Sequence, residues 1–183
     1  NRDVADGWAV GHLAAGFTQE LSLSSTASAT ANSAIWNNTA PSSTVFTVGT
    51  SHRTNGPSEN IIGYCFQEIS GFSKFGSYEG NVSDDGILID LGFKPSFFIA
   101  KNIDFTGAWL MFDSAREPFN LMDLPLEADD SKGEAASGGR ELDFLSNGVK
   151  LRGNSSYLNS AHTFIYMAFA ENPFAGTTPT TAR

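Results

Sequence analysis

The side chains able to do chemistry are few, and their spacing argues for structure. Glycoside hydrolysis needs two carboxylates flanking one bond, one as acid and one as base or nucleophile. Sandwich glucanases supply them from one strand face, spaced ExDxxE or ExDxE. Glu141-Leu142-Asp143 opens such a pattern, but Leu145 and Ser146 stand at the two places for a third acid. Catalysis is therefore not expected. His12, His52 and His162 lack metal-ligand spacing and read as surface or structural residues. Cys65, within the apolar run IIGYCF, reads as a buried, inert thiol.

Loops with hard oxygen donors are the other place to look. Asn81-Val82-Ser83-Asp84-Asp85-Gly86 offers ligands for calcium but lacks the Asp-x-Asp-x-Asp spacing and the closing Glu. An Asp-Gly turn explains it equally well, and no metal or cofactor is expected. Trp36 and Asn37, lying between polar stretches, are the candidates for a ring-and-amide sugar contact, with core burial the competing reading for Trp36. Asp113 and Arg116 are expected to pair and fix a turn. Trp8 and Trp109 are expected to be structural. N-x-Ser/Thr sequons begin at Asn37, Asn81 and Asn154.

These residues sit in a chain of 183 residues with eleven Lys+Arg against twenty Asp+Glu, a net charge of −9. That balance excludes the basic face needed for nucleic acid and the polybasic patch that docks on anionic lipid. No apolar run is long enough to insert in a membrane as a helix. A single cysteine excludes an internal disulfide framework.

Helical periodicity is poor, while short β-branched and aromatic runs alternate with turn residues. Strands are expected at 8–10, 21–24, 45–50, 61–67, 87–90, 96–102, 109–113, 149–152 and 163–170. Asn147-Gly148 is the clearest hairpin turn. The Gly-rich segment 71–81 reads as a sheet edge or crossover. Pro125–Gly139 reads as a surface excursion or at most a short helix, and Thr177–Arg183 as a flexible tail. The fold expected is an all-β, jelly-roll-like antiparallel sandwich.

An internal repeat organises these strands. Asn1-Arg2-Asp3…Trp8 matches Asn102-Ile103-Asp104…Trp109 at an offset of 101. Phe46-Thr47-Val48 matches Val149-Lys150-Leu151, and Ile61–Glu68 matches Phe164–Glu171, both at 103. The expected organisation is one domain over 1–176, with halves 1–70 and 87–176 joined by 71–86. The second half carries an apolar strand, within Leu91–Lys101, ahead of Asn102. Its counterpart would precede Asn1. Either upstream residues of a parent protein or a neighbouring chain, by strand addition, is expected to fill that place.

The segments GFSKFGSYEGN (71–81), LGFKPSFFIAKN (91–102), FDSAREPFN (112–120), DFLSNGVKLRG (143–153) and TFIYMAFAENPF (163–174) occur in order. With WNNTAPSSTVFTVGT (36–50) and Trp8-Ala9-Val10-x-His12, they resemble one family across nearly the whole chain. It is a domain of uncharacterised function found in structural and tail-fibre-like proteins of aquatic, especially marine, tailed bacteriophages. The resemblance implies a sandwich similar to concanavalin A-like lectins and glucanases, without implying sugar binding. It also implies residues upstream that end in an apolar strand and Lys-Asn-Arg. It supplies no catalytic residues.

The function expected is a non-enzymatic structural module of a virion fibre or extracellular filament. Homo-oligomeric or helical assembly is expected, by strand addition at the N-terminal edge. A host-surface glycan is the alternative ligand, and a polysaccharide-cleaving enzyme the third reading. The expected location is the virion surface or outside the cell.

Overall fold

A computed structural model describes residues 1–136 and 138–173. The tail at 177–183 lies outside the described residues. The strands are β1 (Ala9–Val10), β2 (Gln19–Ser22), β3 (Thr30–Ala31), β4 (Ser73–Glu79), β5 (Leu88–Asp90), β6 (Pro95–Asn102), β7 (Leu110–Asp113), β8 (Leu126–Glu127), β9 (Leu142–Leu145), β10 (Gly148–Leu151) and β11 (Thr163–Ala170). Two single-turn helices, α1 (Ser33–Trp36) and α2 (His52–Asn55), lie between β3 and β4. The protein is all-β.

The sheets are antiparallel, in the orders β1-β2-β3, β5-β10-β9 and β4-β11-β6-β7-β8. The five-stranded sheet is apolar on both faces, because alternate residues of each strand point to opposite sides. Phe98 and Ala100 of β6, Leu110 and Phe112 of β7, and Phe164 and Ala168 of β11 face one way. They form a core with Ile89, Leu142, Phe144, Val149 and Leu151 of the three-stranded sheet β5-β10-β9. On the opposite face Ile99, Trp109 and Ile165 pack against Leu21 and Val10. The first-half sheet thus covers the outside of the second-half sandwich. Segment 71–81 supplies β4, the edge strand of the large sheet.

Hydrogen bonds repeat with the sequence. Asn1 Oδ1 accepts from the amides of Asp3 and Val4 at 2.9 and 3.2 Å, as Asn102 Oδ1 does from Asp104 and Phe105 at 3.0 and 2.9 Å. Asp3 Oδ2 accepts from Asn60 N at 2.6 Å, and Asp104 Oδ2 from Thr163 N at 2.8 Å. The β1–β2 register, Ala9 opposite Ser22, corresponds to Leu110 opposite Glu127 in β7–β8. Asn55 Nδ2 donates to Gly49 O, as Asn159 Nδ2 does to Gly153 O. Two halves of related backbone geometry make up the fold.

Three local expectations are corrected. The hairpin between β9 and β10 turns at Ser146-Asn147, because Gly148 already pairs with Leu145. Gly148 is needed for close approach instead: a Cβ there would lie 2.1 Å from Ile89 O. Neither 45–50 nor 61–67 is a strand. In the second half the matching segments are β10, held by β5 and β9, and β11, held by β4 and β6. Among the described residues no strand pairs with 61–67, and a ladder needs a partner.

The halves meet at Lys101, which is fully buried at the end of β6. Its Nζ donates to Thr26 O at 3.2 Å and to Asn102 O at 2.8 Å. Burial lowers its pKa from the usual 10.5 to about 8, with Asp129 offsetting part of the effect. Between these values the unfolded chain binds more protons than the folded one, so stability rises with pH. Denaturant unfolding from pH 7.5 to 9.5 should show this rise, at most about 3 kcal/mol when complete. In Lys101→Met that component of the pH dependence should vanish.

Candidate functional site

Each sequence candidate has a definite place. Trp36 ends α1 and is buried, its ring edge-on to Phe17 at 5.7 Å between centroids. Asn37 caps the same turn with φ of 51°, a left-handed conformation that asparagine tolerates. Trp36 is thereby packed into the interior and offers no open ring face, while Asn37 is exposed. Trp109 is buried; its Nε1 donates to Ser22 O at 2.9 Å and its amide to Asp129 Oδ1 at 2.7 Å, docking one half on the other. Trp8, its repeat mate, is 53 % exposed and stacks on Tyr64 at 5.9 Å. Trp8 packs within the first half, its amide donating to Ser24 Oγ at 3.1 Å, while Trp109 docks one half on the other.

Asp113 and Arg116 hold the turn after β7. Arg116 Nε donates to Asp113 Oδ2 at 2.6 Å, and Nη1 reaches Glu134 at 2.6 Å and Leu124 O at 2.9 Å. Burial pushes the Asp113 carboxyl up, but the hydrogen bonds and charge of Arg116 outweigh it, leaving its pKa below the ordinary value. Arg116→Ala should cost about 1–3 kcal/mol in denaturant unfolding, in the range for hydrogen bonds to charged groups. Arg116→Lys should recover only part, since an ammonium cannot reproduce the planar fork.

The remaining acids and histidines are engaged locally. Asp143 accepts from Arg152 Nε at 2.5 Å, and Glu141 accepts from Gly139 N at 3.0 Å. Asp85 pairs with Lys150 at 2.7 Å, and Asn81 is held by Asn159 Nδ2 at 2.9 Å. Among the described residues no group of three His, Cys, Asp or Glu is placed to hold a metal ion. His12 packs its Nε2 3.2 Å from Tyr166 O, and burial lowers its pKa. Exposed His52 contacts Glu59 at 2.8 Å, whose hydrogen bond and charge raise its pKa. His162 lies 2.9 Å from Ser160 Oγ and stacks on Phe105.

What the structure brings together is an exposed apolar segment, 61–66, that belongs to none of the three sheets. Ile61, Ile62, Tyr64 and Phe66 are exposed, as are Val45 and Phe46 nearby in the same half. Cys65 is exposed too, which corrects its assignment as a buried thiol. Among the described residues, no hydrogen bond is made by the amides or carbonyls of Ile61 to Phe66. Their second-half counterparts, Phe164 to Phe169, are bonded to both β4 and β6. In that sheet β6 lies between β11 and β7; here the corresponding place lies between 61–66 and β1. Asn1 sits where β6 would end, repeating the contacts of Asn102.

Arg53, singled out by no motif, lies beside this place. Its Nε donates to Gly7 O at 3.2 Å and its Nη1 reaches Glu20 at 3.4 Å, with Asp6 at 4.0 Å. The repeat marks the strand that would complete the sheet, and the contrast between exposed 61–66 and buried β11 locates the site. No helix among the described residues is long and apolar enough to cross a membrane. Residues 1–173 match the family described as "Domain of unknown function (DUF7483)". No curated protein and no solved structure matches the chain.

Proposed function

Since the chain belongs to the DUF7483 family, whose description names no activity, we propose from its geometry that it is a non-enzymatic structural module of a virion appendage or extracellular filament. It joins that assembly by accepting a strand at its open first-half edge. One observation carries this reading: six consecutive residues, Ile61 to Phe66, that are apolar, exposed and without backbone partners among the described residues. An unpaired apolar edge is a template for strand addition unless it is blunted by charge, proline or a covering element. Ile61–Phe66 contains none of those residues. The acids that hydrolysis would need are tied into local ion pairs and caps, which supports a non-enzymatic role.

Cys65 reports on the edge. In the intact chain its thiol should react readily with a chromogenic disulfide reagent. A peptide of β6 sequence, PSFFIAKN with a solubilising tail, should slow that reaction at least tenfold and protect the 61–66 amides from hydrogen exchange. Unchanged reactivity and exchange at saturating peptide would overturn strand addition.

The exposed Trp8–Tyr64 stack favours a second reading, a glycan contact on the same face. Aromatic rings with one face in water are suited to stack on sugars, and a glycan array tests it. Binding that disappears in Trp8→Ala would support the glycan reading; an array without hits removes it.

A further inference from the structure

The turn after β1 is closed by a histidine where its repeat mate is closed by a carboxylate. Gly16 N donates to His12 O at 3.0 Å, as Glu117 N does to Asp113 O at 3.2 Å. The offset of 101 is the one that joins Trp8 to Trp109. In the second half Asp113 Oδ1 caps the turn, accepting from Arg116 N at 3.0 Å. In the first half His12 Nδ1 does so, accepting from Ala14 N at 3.2 Å. Gly16 completes the turn at φ of 80°, a conformation open to glycine. The turn seats Ala15, with Val10, against the core between the two layers.

The same ring spans the seam, its Nε2 3.2 Å from Tyr166 O on β11. An Nδ1 that accepts from an amide carries no proton, so Nε2 holds the hydrogen and donates it to that carbonyl. An imidazolium donates from both nitrogens and must let go of Ala14. Its charge would also go uncompensated. Residues 11–18 hold no other titratable side chain. On the seam side of the large sheet, Glu79 of β4 stands opposite Thr163, whose amide donates to Asp104. Lys101 of β6 has Asp129 beside it, and Asp113 of β7 is paired with Arg116. Glu20 of β2 alternates with the inward Leu21 and is paired with Arg53. Burial rather than any of these charges governs His12: it lowers the pKa below the ordinary 6.5, and the Tyr166 carbonyl offsets it in part.

We propose that His12 is an acid-released latch: the neutral ring caps turn 12–16 and pins it to β11, and protonation frees the turn and the β1–β2 ladder from the outer face of the large sheet. The second-half sandwich stays folded, because its buried core is drawn entirely from residues 78–170. The latch is independent of strand addition at 61–66. Once released, His12 returns to its ordinary 6.5, so below that value the released form binds more protons than the docked one. Docking is therefore at full strength above 6.5 and weakens as the pH falls below it. Other groups leave this window clear. Asp113 is held below the ordinary carboxylate value of 3.8, and Lys101 titrates from about 8 upward. His52, its pKa raised by Glu59, acts with the opposite sign.

Hydrogen exchange of the intact 183-residue chain at pH 7.5 and pH 5, corrected for intrinsic rates, tests the latch. At pH 5 the amides of Ala14 to Gly16 and of the β1–β2 ladder should lose about threefold or more of their protection, while those of β6 and β11 keep theirs. His12→Asn keeps an acceptor at the place of Nδ1 and cannot be protonated, so its protection should be the same at both pH values. Three outcomes overturn the latch: no loss in the native chain, an equal loss in His12→Asn, or a parallel loss in β6 and β11. Should His12→Asn fail to fold, imidazole nitrogen shifts of the native chain decide. The expected result is an Nε2–H tautomer at pH 7.5 and a titration midpoint below that of His52. An Nδ1–H tautomer, or a midpoint at or above that of His52, overturns it.

Discussion

Strand β6 is hydrogen-bonded along both edges and apolar on both faces, and the architecture follows from satisfying both demands at once. Its backbone is paired with β11 on one side and β7 on the other. A central strand buried in this way must surrender every backbone group to a neighbour, because an unpaired N–H or C=O away from water costs as much as a lost hydrogen bond. Once β11 and β7 are in place, Phe98 and Ala100 point into one core and Phe97 and Ile99 toward the other. A sheet with two apolar faces needs two covering layers. The three-stranded sheet supplies one and the first half of the chain the other.

The first half therefore serves the second before it completes itself. Leu21 and Val10 are spent on the outer face of the large sheet, and Trp109 fastens that face by donating to Ser22 O. What remains on the far side is β1 and the segment 61–66, with no strand among the described residues in the place that β6 holds in the second half. Exposure of Trp8, Tyr64 and Phe66 is the direct consequence. Their second-half counterparts Trp109, Met167 and Phe169 differ in surroundings, since there β6 stands between β7 and β11. The asymmetry between two related halves is what turns a packing problem into a candidate interaction surface.

Much of this was legible in the residues. Alternation of apolar and turn residues announced an all-β fold, and the segments expected at 96–102, 109–113 and 163–170 coincide with β6, β7 and β11 to within a residue. The repeat, read from Asn1-Arg2-Asp3 and Asn102-Ile103-Asp104, coincides with hydrogen bonds made twice. Misreadings came where local pattern was right and context was not. IIGYCF has the composition of a strand, yet a strand is defined by its neighbour, so Cys65 came out exposed. Asn147-Gly148 has hairpin chemistry, yet the glycine is required by Ile89 O across the sheet, which shifts the turn by one residue.

The sequence by itself determined the all-β fold class and the segments that recur in it, because those depend on periodicity and on residues close in the chain. The tertiary structure alone decided which buried groups have no hydrogen-bond partner among the described residues. Trp36 and Arg53 belong to different loops, and no spacing rule joins them; only packing of the first half sets both against one cavity beside β1. Lys101, ordinary as a letter, becomes a buried cation because Thr26, 75 residues away, supplies its carbonyl. Burial and hydrogen-bond satisfaction are properties of what surrounds a residue, and those surroundings exist only once the chain has folded.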